Sequence, residues 1–537
     1  MSFIDDLRAY ADPALAIHVP EELPPGIPFA VKDNIDVAGM PTTAACPEFS
    51  YQPAVDATVV ARLRAHGFVP ACKTNLDQFA TGLVGTRSPY GVPRNLFDRE
   101  RIPGGSSSGS ASAVAAGLVP FALGTDTAGS GRVPAAFQGL IGLKPTKGWL
   151  STRGVVPAVR SLDCVSVFAR SVAQAWDVTR LACGFDAADP YSRTAPVVSL
   201  PMGSLRLGIP APEFLEVVAP GLLAAWHSAV DQLRSLGHTV VEIDYAPFLA
   251  AAEQLYGGAW VCERTAAVGD FLDSAPAGAD PIVSAIIRSG RGRHDAVAAY
   301  RAQYELMELR RQAEAQWQRM DVLVLPTVVA HPTLLQVRGD PVAINARLGR
   351  FTNFANLLDT CALAVPAGRA GSTGSPEGHL PAGVTLFAPA WHDAVLARLA
   401  AAWRGEQVSA VDDGGITVAV FGAHMRGQPL NPQLMSWGGA YVGECQTAPV
   451  YRLHRVSGPE RPGLVRVATG GAAFPGELWR LSATGFGLLT ASVAAPLAIG
   501  TVTLADGSLV KGFVCEPAGA GEDISAWGGW RAWRAGG

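Results

Sequence analysis

The stretch from 103 to 134 constrains this chain more than any other. It reads Pro-Gly-Gly-Ser-Ser-Ser-Gly-Ser-Ala-Ser, then an apolar run over 113–123, then Gly-Thr-Asp-Thr-Ala-Gly-Ser-Gly-Arg-Val-Pro. Two Gly/Ser loops therefore enclose a run fit only for a core, which a flexible linker would not do. Ser106 in the first loop and Ser130 in the second are 24 residues apart. Glycine beside serine lets the backbone turn sharply and approach a ligand. Consecutive backbone N–H groups in such a loop form an anion-binding concavity. Thr127, Ala128, Gly129 and Ser130 are the candidate donors. A phosphate loop is a poor fit, because there is no Gly-Lys-Ser/Thr and no GxGxxG opening a helix.

Lysine is scarce. Only Lys32, Lys73, Lys144, Lys147 and Lys511 occur, so few residues can serve as a lysine base. Lys32 follows the apolar run Pro-Phe-Ala-Val, a strand that delivers it into the interior. A buried lysine loses ammonium solvation, its pKa falls, and it becomes a base near neutral pH. The same residues also fit a structural pair of Lys32 with Asp33 or Asp36. Lys73 is the rival lysine.

These motifs resemble the signature of the amidase signature family. Gly-Gly-Ser-Ser-Ser-Gly, Asp-Thr-Ala-Gly-Ser-Gly-Arg-Val-Pro and Val31-Lys32-Asp33-Asn34 carry the resemblance, which covers roughly 20–400. It implies a Ser–cis-Ser–Lys triad, with Ser130 as nucleophile, Ser106 as the bridging serine in a cis peptide and Lys32 as base. It places Lys73 in the scaffold. The fold it implies is α/β, a mixed β-sheet core covered by helices.

Composition narrows the remaining choices. At 49% hydrophobic and 16% charged, 537 residues can bury a large core in more than one domain. A net charge of −4 without a long basic run speaks against a nucleic-acid partner. The eight cysteines form no CxxC pair and no metal-like spacing with histidine. They read as buried thiols in a reducing compartment. We expect no metal and no cofactor. The opening residues lack a signal-peptide pattern. The uncharged stretch 481–505 is broken by Gly485, Gly487, Pro496 and Gly500 and reads as strand–turn–strand, not a membrane helix. The expected setting is cytoplasmic.

In chain order, 1–25 read as a short helix and an acidic connector, and 58–66 as an amphipathic helix ended by Gly67. Residues 70–80 read as a strand and then a helix start capped by Thr74 or Asn75. Residues 81–91 form a loop able to wall a pocket. Strands and helices alternate from 172 to 243, which indicates α/β. Residues 247–317 are mostly helical, with the longest run at 296–318. The expected division is 1–403, a linker at 404–415, and a β-rich second domain at 416–537.

Substrate selection rests on other residues. Tyr256 and Arg264 are eight apart, about two helical turns, and can share a face. A phenol and a guanidinium together make a carboxylate receptor. A surface arginine and a core tyrosine fit the spacing equally. The segment Leu255-Tyr-Gly-Gly-Ala-Trp-Val-Cys-Glu-Arg resembles that of the allophanate hydrolases, a branch of the amidase signature family whose Tyr and Arg hold the substrate carboxylate. The runs Phe421-Gly-Ala-His-Met-Arg-Gly, Gly476-Glu-Leu-Trp and Pro496-Leu-Ala-Ile-Gly-Thr-Val resemble the C-terminal domain of the longer allophanate hydrolases. More loosely they resemble the γ-glutamylcyclotransferase fold, with Gly-Glu-Leu-Trp as a glutamate-bearing loop. Phe421-Gly-Ala-His departs from that fold's Tyr-Gly-Ser/Thr-Leu turn.

The resemblance implies an amidohydrolase in urea degradation. Its first domain would turn allophanate into N-carboxycarbamate and ammonia, and its second would promote decarboxylation. A biotin-dependent urea carboxylase would supply the substrate, and the enzyme would be a homodimer. His424 has the ordinary pKa of a group able to deliver the proton for decarboxylation, and it equally fits a structural histidine. The alternative is a malonamidase-like enzyme acting on another small carboxylated amide, its second domain serving assembly.

Overall fold

The computed structural model describes residues 14–196, 203–292, 294–371, 377–409, 415–456 and 461–536. The N-terminal helix expected before residue 14 and the linker residues 410–414 lie outside them. The chain divides into two compact units, 1–196 with 206–410, and 197–205 with 411–537.

In the first unit one sheet carries eleven of the described strands. They are β1 (Ala16–His18), β2 (Ile27–Lys32), β3 (Phe68–Thr74), β4 (Phe121–Thr125), β5 (Ile141–Lys144), β6 (Val165–Ala169), β7 (Arg206–Pro210), β8 (Thr239–Ile243), β9 (Val322–Pro326), β10 (Thr360–Arg369) and β11 (Pro381–Pro389). Their order is β1-β3-β2-β4-β6-β5-β10-β11-β9-β7-β8, with parallel and antiparallel neighbours mixed. Strands such as Phe-Ala-Leu-Gly-Thr and Val-Leu-Val-Leu-Pro are apolar almost throughout and buried throughout, as a sheet covered on both faces requires.

Parallel pairing of β2 with β4, Val31 beside Leu123, brings the carboxyl ends of both strands to one place. Lys32 ends β2 and Thr125 ends β4. Carboxyl ends of strands are where open α/β sheets hold ligands. The helix Ser108–Ala115 lies directly behind. It is built almost wholly of serine, glycine and alanine, and small side chains let it press onto the sheet. Ser110 Oγ donates to the Leu123 carbonyl at 2.9 Å and Ser107 Oγ to the Thr125 carbonyl at 3.1 Å. The loop before this helix is thereby carried to the end of β2.

Two local expectations are corrected here. No helix starts at Asn75. Its side-chain amide instead donates to the carbonyls of Ala14 (2.7 Å) and Gly91 (3.0 Å), tying two loops together. A single 3₁₀ turn, Gln78–Ala80, follows Asp77. Residues 404–409, expected as linker, hold the first unit. Glu406 caps the helix Val172–Ala182 by accepting from Val172 N–H at 2.7 Å, and Ser409 Oγ donates to Asp177 at 2.6 Å.

The longest helix, Ala296–Trp317, buries Ala302, Leu309 and Ala313. Asp295 caps it, accepting from Ala298 N–H.

In the second unit, described strands β12 (Ile416–Val420), β13 (Ala440–Gln446), β14 (Tyr451–Val456), β15 (Arg461–Arg466), β16 (Pro475–Leu481), β17 (Leu497–Thr503) and β18 (Leu509–Cys515) form two sheets. One has the order β13-β16-β12-β18-β17 and the other pairs β14 with β15. Trp479, Phe421, Tyr451, Leu453 and Leu464 belong to its core. Residues 483–492, expected within a strand–turn–strand, are helical: Ala483–Ser492. Ser482 caps this helix, accepting from Gly485 N–H at 3.0 Å. Leu489 is buried in the core. A cap and a packing contact outweigh two helix-weakening glycines.

Candidate active site

Lys32 is fully buried. Its Nζ lies 2.8 Å from Ser106 Oγ and 2.7 Å from Thr125 Oγ1. It does not pair with Asp33 or Asp36. Asp33 instead meets Lys73, Nζ to Oδ1 3.4 Å, with both side chains fully buried. The two lysines of neighbouring strands therefore divide: Lys73 has a carboxylate and Lys32 has hydroxyls. Burial lowers the Lys32 pKa to about 7, although Asp77, Asp126 and Asp163 pull it upward. A lysine of this kind is in part a free amine at neutral pH.

The peptide bond between Gly105 and Ser106 is cis. Asp77 fixes the surrounding backbone. Its N–H donates to the Ser106 carbonyl at 3.0 Å, and its carboxylate accepts from Gly85 N–H (2.9 Å) and Arg87 N–H (3.0 Å). A β-carbon on Gly105 would stand 2.1 Å from the Asp77 carboxylate, so the loop requires glycine there.

The second loop folds around Asp126. Its carboxylate accepts from Gly129 N–H at 2.8 Å and Gly131 N–H at 3.0 Å, and from Arg132 Nε at 2.9 Å and Nη2 at 2.8 Å. Burial opposes ionisation, yet the Arg132 guanidinium and Lys144 hold this carboxyl below its ordinary range. Gly129 has φ 136°, and a β-carbon there would meet Thr352 Oγ1 at 2.4 Å.

This arrangement corrects one expectation. Gly129 N–H is consumed by Asp126, so Thr127, Ala128 and Ser130 are left as main-chain donors for a developing oxyanion. Thr127 Oγ1 donates to the buried Asp163. Ser130 is 2% exposed and its Oγ points to the Gly82 carbonyl at 3.5 Å, a marginal hydrogen bond. It is not hydrogen-bonded to Ser106 in this conformation.

Tyr256 and Arg264 meet, but not for the reason their spacing suggested. Tyr256 lies at the end of the helix Ala246–Gly257 and Arg264 in a separate helix, Val261–Asp273. The turn between them brings the guanidinium over the phenol ring at 5.1 Å, with Nη2 3.4 Å from the hydroxyl. Nη1 donates to Thr81 Oγ1 at 2.9 Å, and Nε has no partner. Arg264 is 1% exposed and forms no ion pair among the described residues. A buried guanidinium without a carboxylate is costly unless an anion completes it. The 81–91 loop touches both centres, since Thr81 holds Arg264 and Gly82 faces Ser130.

In the second unit His424 lines a pocket with Arg461, Gln433 and Phe513. Its ring stacks on Phe513 at 5.0 Å, and Nε2 is buried without a partner. Burial, reinforced by Arg461, lowers its pKa to about 4. The ordinary histidine value that recommended it as an acid does not hold here, and the imidazole is neutral at pH 7. Glu477 sits in β16 and not in a loop. It accepts from Arg531 Nη2 (2.7 Å), Arg426 N–H (2.9 Å) and Trp479 Nε1 (3.1 Å). A glutamate so engaged is a cross-link of the fold.

Residues 8–396 match the Amidase family model, and residues 416–535 match the model described as the allophanate hydrolase C-terminal domain. The chain belongs to the amidase family. Within it, relatives similar along nearly the whole chain include the urea amidolyase of Saccharomyces cerevisiae, 42% identical over 95% of this chain and 29% of that protein. The Kluyveromyces lactis allophanate hydrolase structure is 40% identical with a TM-score of 0.81, over 95% of this chain and 88% of that one. The Kluyveromyces lactis urea amidolyase structure is likewise 40% identical, with a TM-score of 0.84, over 95% of this chain and 32% of that one. The chain thus spans under a third of the urea amidolyases it matches. Among the described residues no helix is long and apolar enough to cross a membrane.

Thr125 and Asp77 were not found by sequence reasoning. Thr125 stands directly before Asp126 in Gly-Thr-Asp-Thr, and only the parallel register of β2 and β4 places it against Lys32.

Proposed function

We propose that this chain is an allophanate hydrolase. The observation that carries the reading is the buried Arg264, which forms no ion pair among the described residues and is set beside a seryl nucleophile by a single loop. It suits a small amide that brings its own carboxylate. The neutral Lys32 amine takes a proton from Ser106 as Ser106 takes one from Ser130, whose Oγ first turns from the Gly82 carbonyl. Ser130 attacks the terminal amide carbon, and the N–H groups of Thr127, Ala128 and Ser130 receive the oxyanion. Ammonia leaves with the returned proton. Water then cleaves the acyl-enzyme by the same relay, giving N-carboxycarbamate.

In this reading the second unit promotes decarboxylation of that product. A dianion in the cavity beside Arg461 would raise the His424 pKa and let the imidazole donate a proton to the nitrogen. Overall, two ammonia and two carbon dioxide are formed. A cytoplasmic setting, supply of allophanate by a urea carboxylase, and a homodimer complete the reading. The yeast relatives named urea amidolyase support the link to urea.

Arg264→Ala is the first test. Losing a charge-assisted hydrogen bond costs about 1.5–3 kcal/mol, roughly ten- to more than a hundredfold in kcat/KM. Allophanate and malonamate should lose this much, while a neutral amide, already a poor substrate, barely changes. Equal losses for all would assign Arg264 to the scaffold.

The pH profile is the second. The active form carries Lys32 as the free amine, so protonation removes activity. The rate should be flat above about 7 and fall about tenfold per pH unit below it. A profile still flat two units lower would exclude Lys32 as the base.

The third concerns His424→Ala. First-step ammonia release should be unaltered, while carbon-13 detection at early times should show N-carboxycarbamate building up. No more intermediate than in wild type would leave His424 without a catalytic role.

A further inference from the structure

The segment just before β6 is tied to both halves of the site. β4 and β6 pair antiparallel with Thr125 opposite Val165, so the loop after β4 and the segment 158–164 before β6 leave the sheet together. The first tie to the loop continues the ladder: Asp126 N–H donates to the Cys164 carbonyl at 2.8 Å. The second is Asn356, whose side-chain amide donates to the carbonyls of Asp126 and Leu162, both at 2.7 Å. The third is Thr127 Oγ1, which donates to Asp163. The same segment is tied to the helix that carries Arg264. Ser161 N–H donates to Glu263 at 2.9 Å, and Ser161 Oγ donates to the same carboxylate. Ala128 of the loop packs with Val159 and Leu162, in one apolar cluster with Leu255 and Trp260 from the neighbourhood of Tyr256.

Asp163 is the charged member of this brace that faces the loop. It is 5% exposed and forms no ion pair among the described residues. A carboxylate taken out of water without a cation must be held by donors. Three hold it: Thr127 Oγ1, Ala158 N–H at 2.9 Å and Val159 N–H at 3.2 Å. Burial raises its pKa, while these donors and the charge of Arg264 pull it back. Two of the donors belong to the segment itself, and only Thr127 crosses from the loop. Thr127 is also one of the main-chain donors left for the oxyanion. Its side chain is therefore anchored at the residue whose N–H must already be aimed when charge develops.

We propose that Asp163 is a positioning residue for the amide chemistry: through the Thr127 hydroxyl it aims the oxyanion donors, and the segment 158–164 sets their place relative to Arg264. The proposal rests on the Ser130 mechanism and not on the identity of the amide. Steady-state kinetics test it on whichever of allophanate and malonamate wild type hydrolyses faster. Failure on allophanate alone would then sink the allophanate reading without touching this one.

Thr127→Val removes the hydroxyl and keeps the branched shape. It should lower kcat roughly ten- to a hundredfold with KM within about twofold, since a misaimed donor costs rate and not ground-state binding. Thr127→Ser keeps the hydroxyl and should recover most of that loss. Asp163→Asn should lower kcat by a similar factor. Its KM for a carboxylated amide should not rise, because a negative charge that acts on Arg264 has been removed. The double variant should fall no more than about threefold below the worse single one, since both changes cut the same bond. Should Asp163→Asn fail to fold, Thr127→Val against Thr127→Ser decides alone. A Thr127→Val chain with wild-type kcat, or a rise in KM as the main change in either single variant, would overturn the proposal and assign Asp163 to the scaffold. Losses that multiply in the double variant would show the two residues acting independently and would overturn it as well.

Discussion

Ser130→Ala should fold like wild type and release ammonia from allophanate at least about four orders of magnitude more slowly. The two halves of this expectation come from the same geometry. Ser130 Oγ makes one contact, a 3.5 Å approach to the Gly82 carbonyl, so its removal leaves no strong hydrogen bond unmade. The change in unfolding free energy should stay within about 1 kcal/mol. The Asp126 cage that shapes the loop does not involve the Ser130 side chain. The catalytic loss should be this large because the relay from Lys32 through Ser106 then has no Ser130 hydroxyl to deprotonate. Lys32→Met should approach the same rate while keeping the buried volume filled, since its methionine can take no proton from Ser106. Near-native turnover by a folded Ser130→Ala chain would remove the serine from the mechanism.

The largest effect on stability should come from Asp126→Ala. Asp126 and Arg132 are both fully buried and joined by two hydrogen bonds, and the same carboxylate takes two backbone N–H groups. Truncation leaves the Arg132 guanidinium with its 3.1 Å contact to the Thr352 carbonyl and no counter-charge. Breaking a buried pair in this way costs about 3–5 kcal/mol. Arg132→Ala should cost a similar amount, and the double variant less than the sum. Thermal unfolding of the first unit reads this directly. Activity should fall with it, because the loop bearing Ser130 loses its centre. A single-variant cost under about 1 kcal/mol would mean the pair is not what holds the loop.

Much of the first unit was legible because its chemistry is local in sequence. Two glycine–serine loops around an apolar run announce a backbone that must approach something closely, and the structure bears this out at Gly105 and Gly129. Apolar strands such as 322–326 and the capped helices announced themselves by composition. What escaped depended on register or on the environment. Thr125 reaches Lys32 only because β2 and β4 pair in parallel with Val31 beside Leu123. Arg264 and Tyr256 meet across a turn between two helices, an arrangement that eight-residue spacing cannot distinguish from a shared face. The capped helix Ala483–Ser492 was hidden by its glycines. The lowered pKa of His424 escaped because a reference value knows nothing of burial or of Arg461.

The division between the lysines shows the same limit in a sharper form. Lys32 and Lys73 both follow apolar runs with an aspartate within four residues. Only the fold decides that Asp33 turns to Lys73 and leaves Lys32 among hydroxyls. Function then follows from that single choice of partner, since Lys73 is held in a buried pair with Asp33 while Lys32, without a carboxylate in ion-pair distance, can become a base.

The central claim is that a buried guanidinium selects a carboxylated amide for a seryl nucleophile. Ammonia release by the wild-type chain from allophanate, malonamate, biuret and urea, side by side at matched concentrations, tests it most directly. Allophanate should give the highest kcat/KM, with malonamate retaining measurable turnover. Biuret and urea, which lack a carboxylate, should fall below allophanate by at least roughly tenfold. Equal turnover of biuret or urea, or no ammonia from allophanate, would contradict the account.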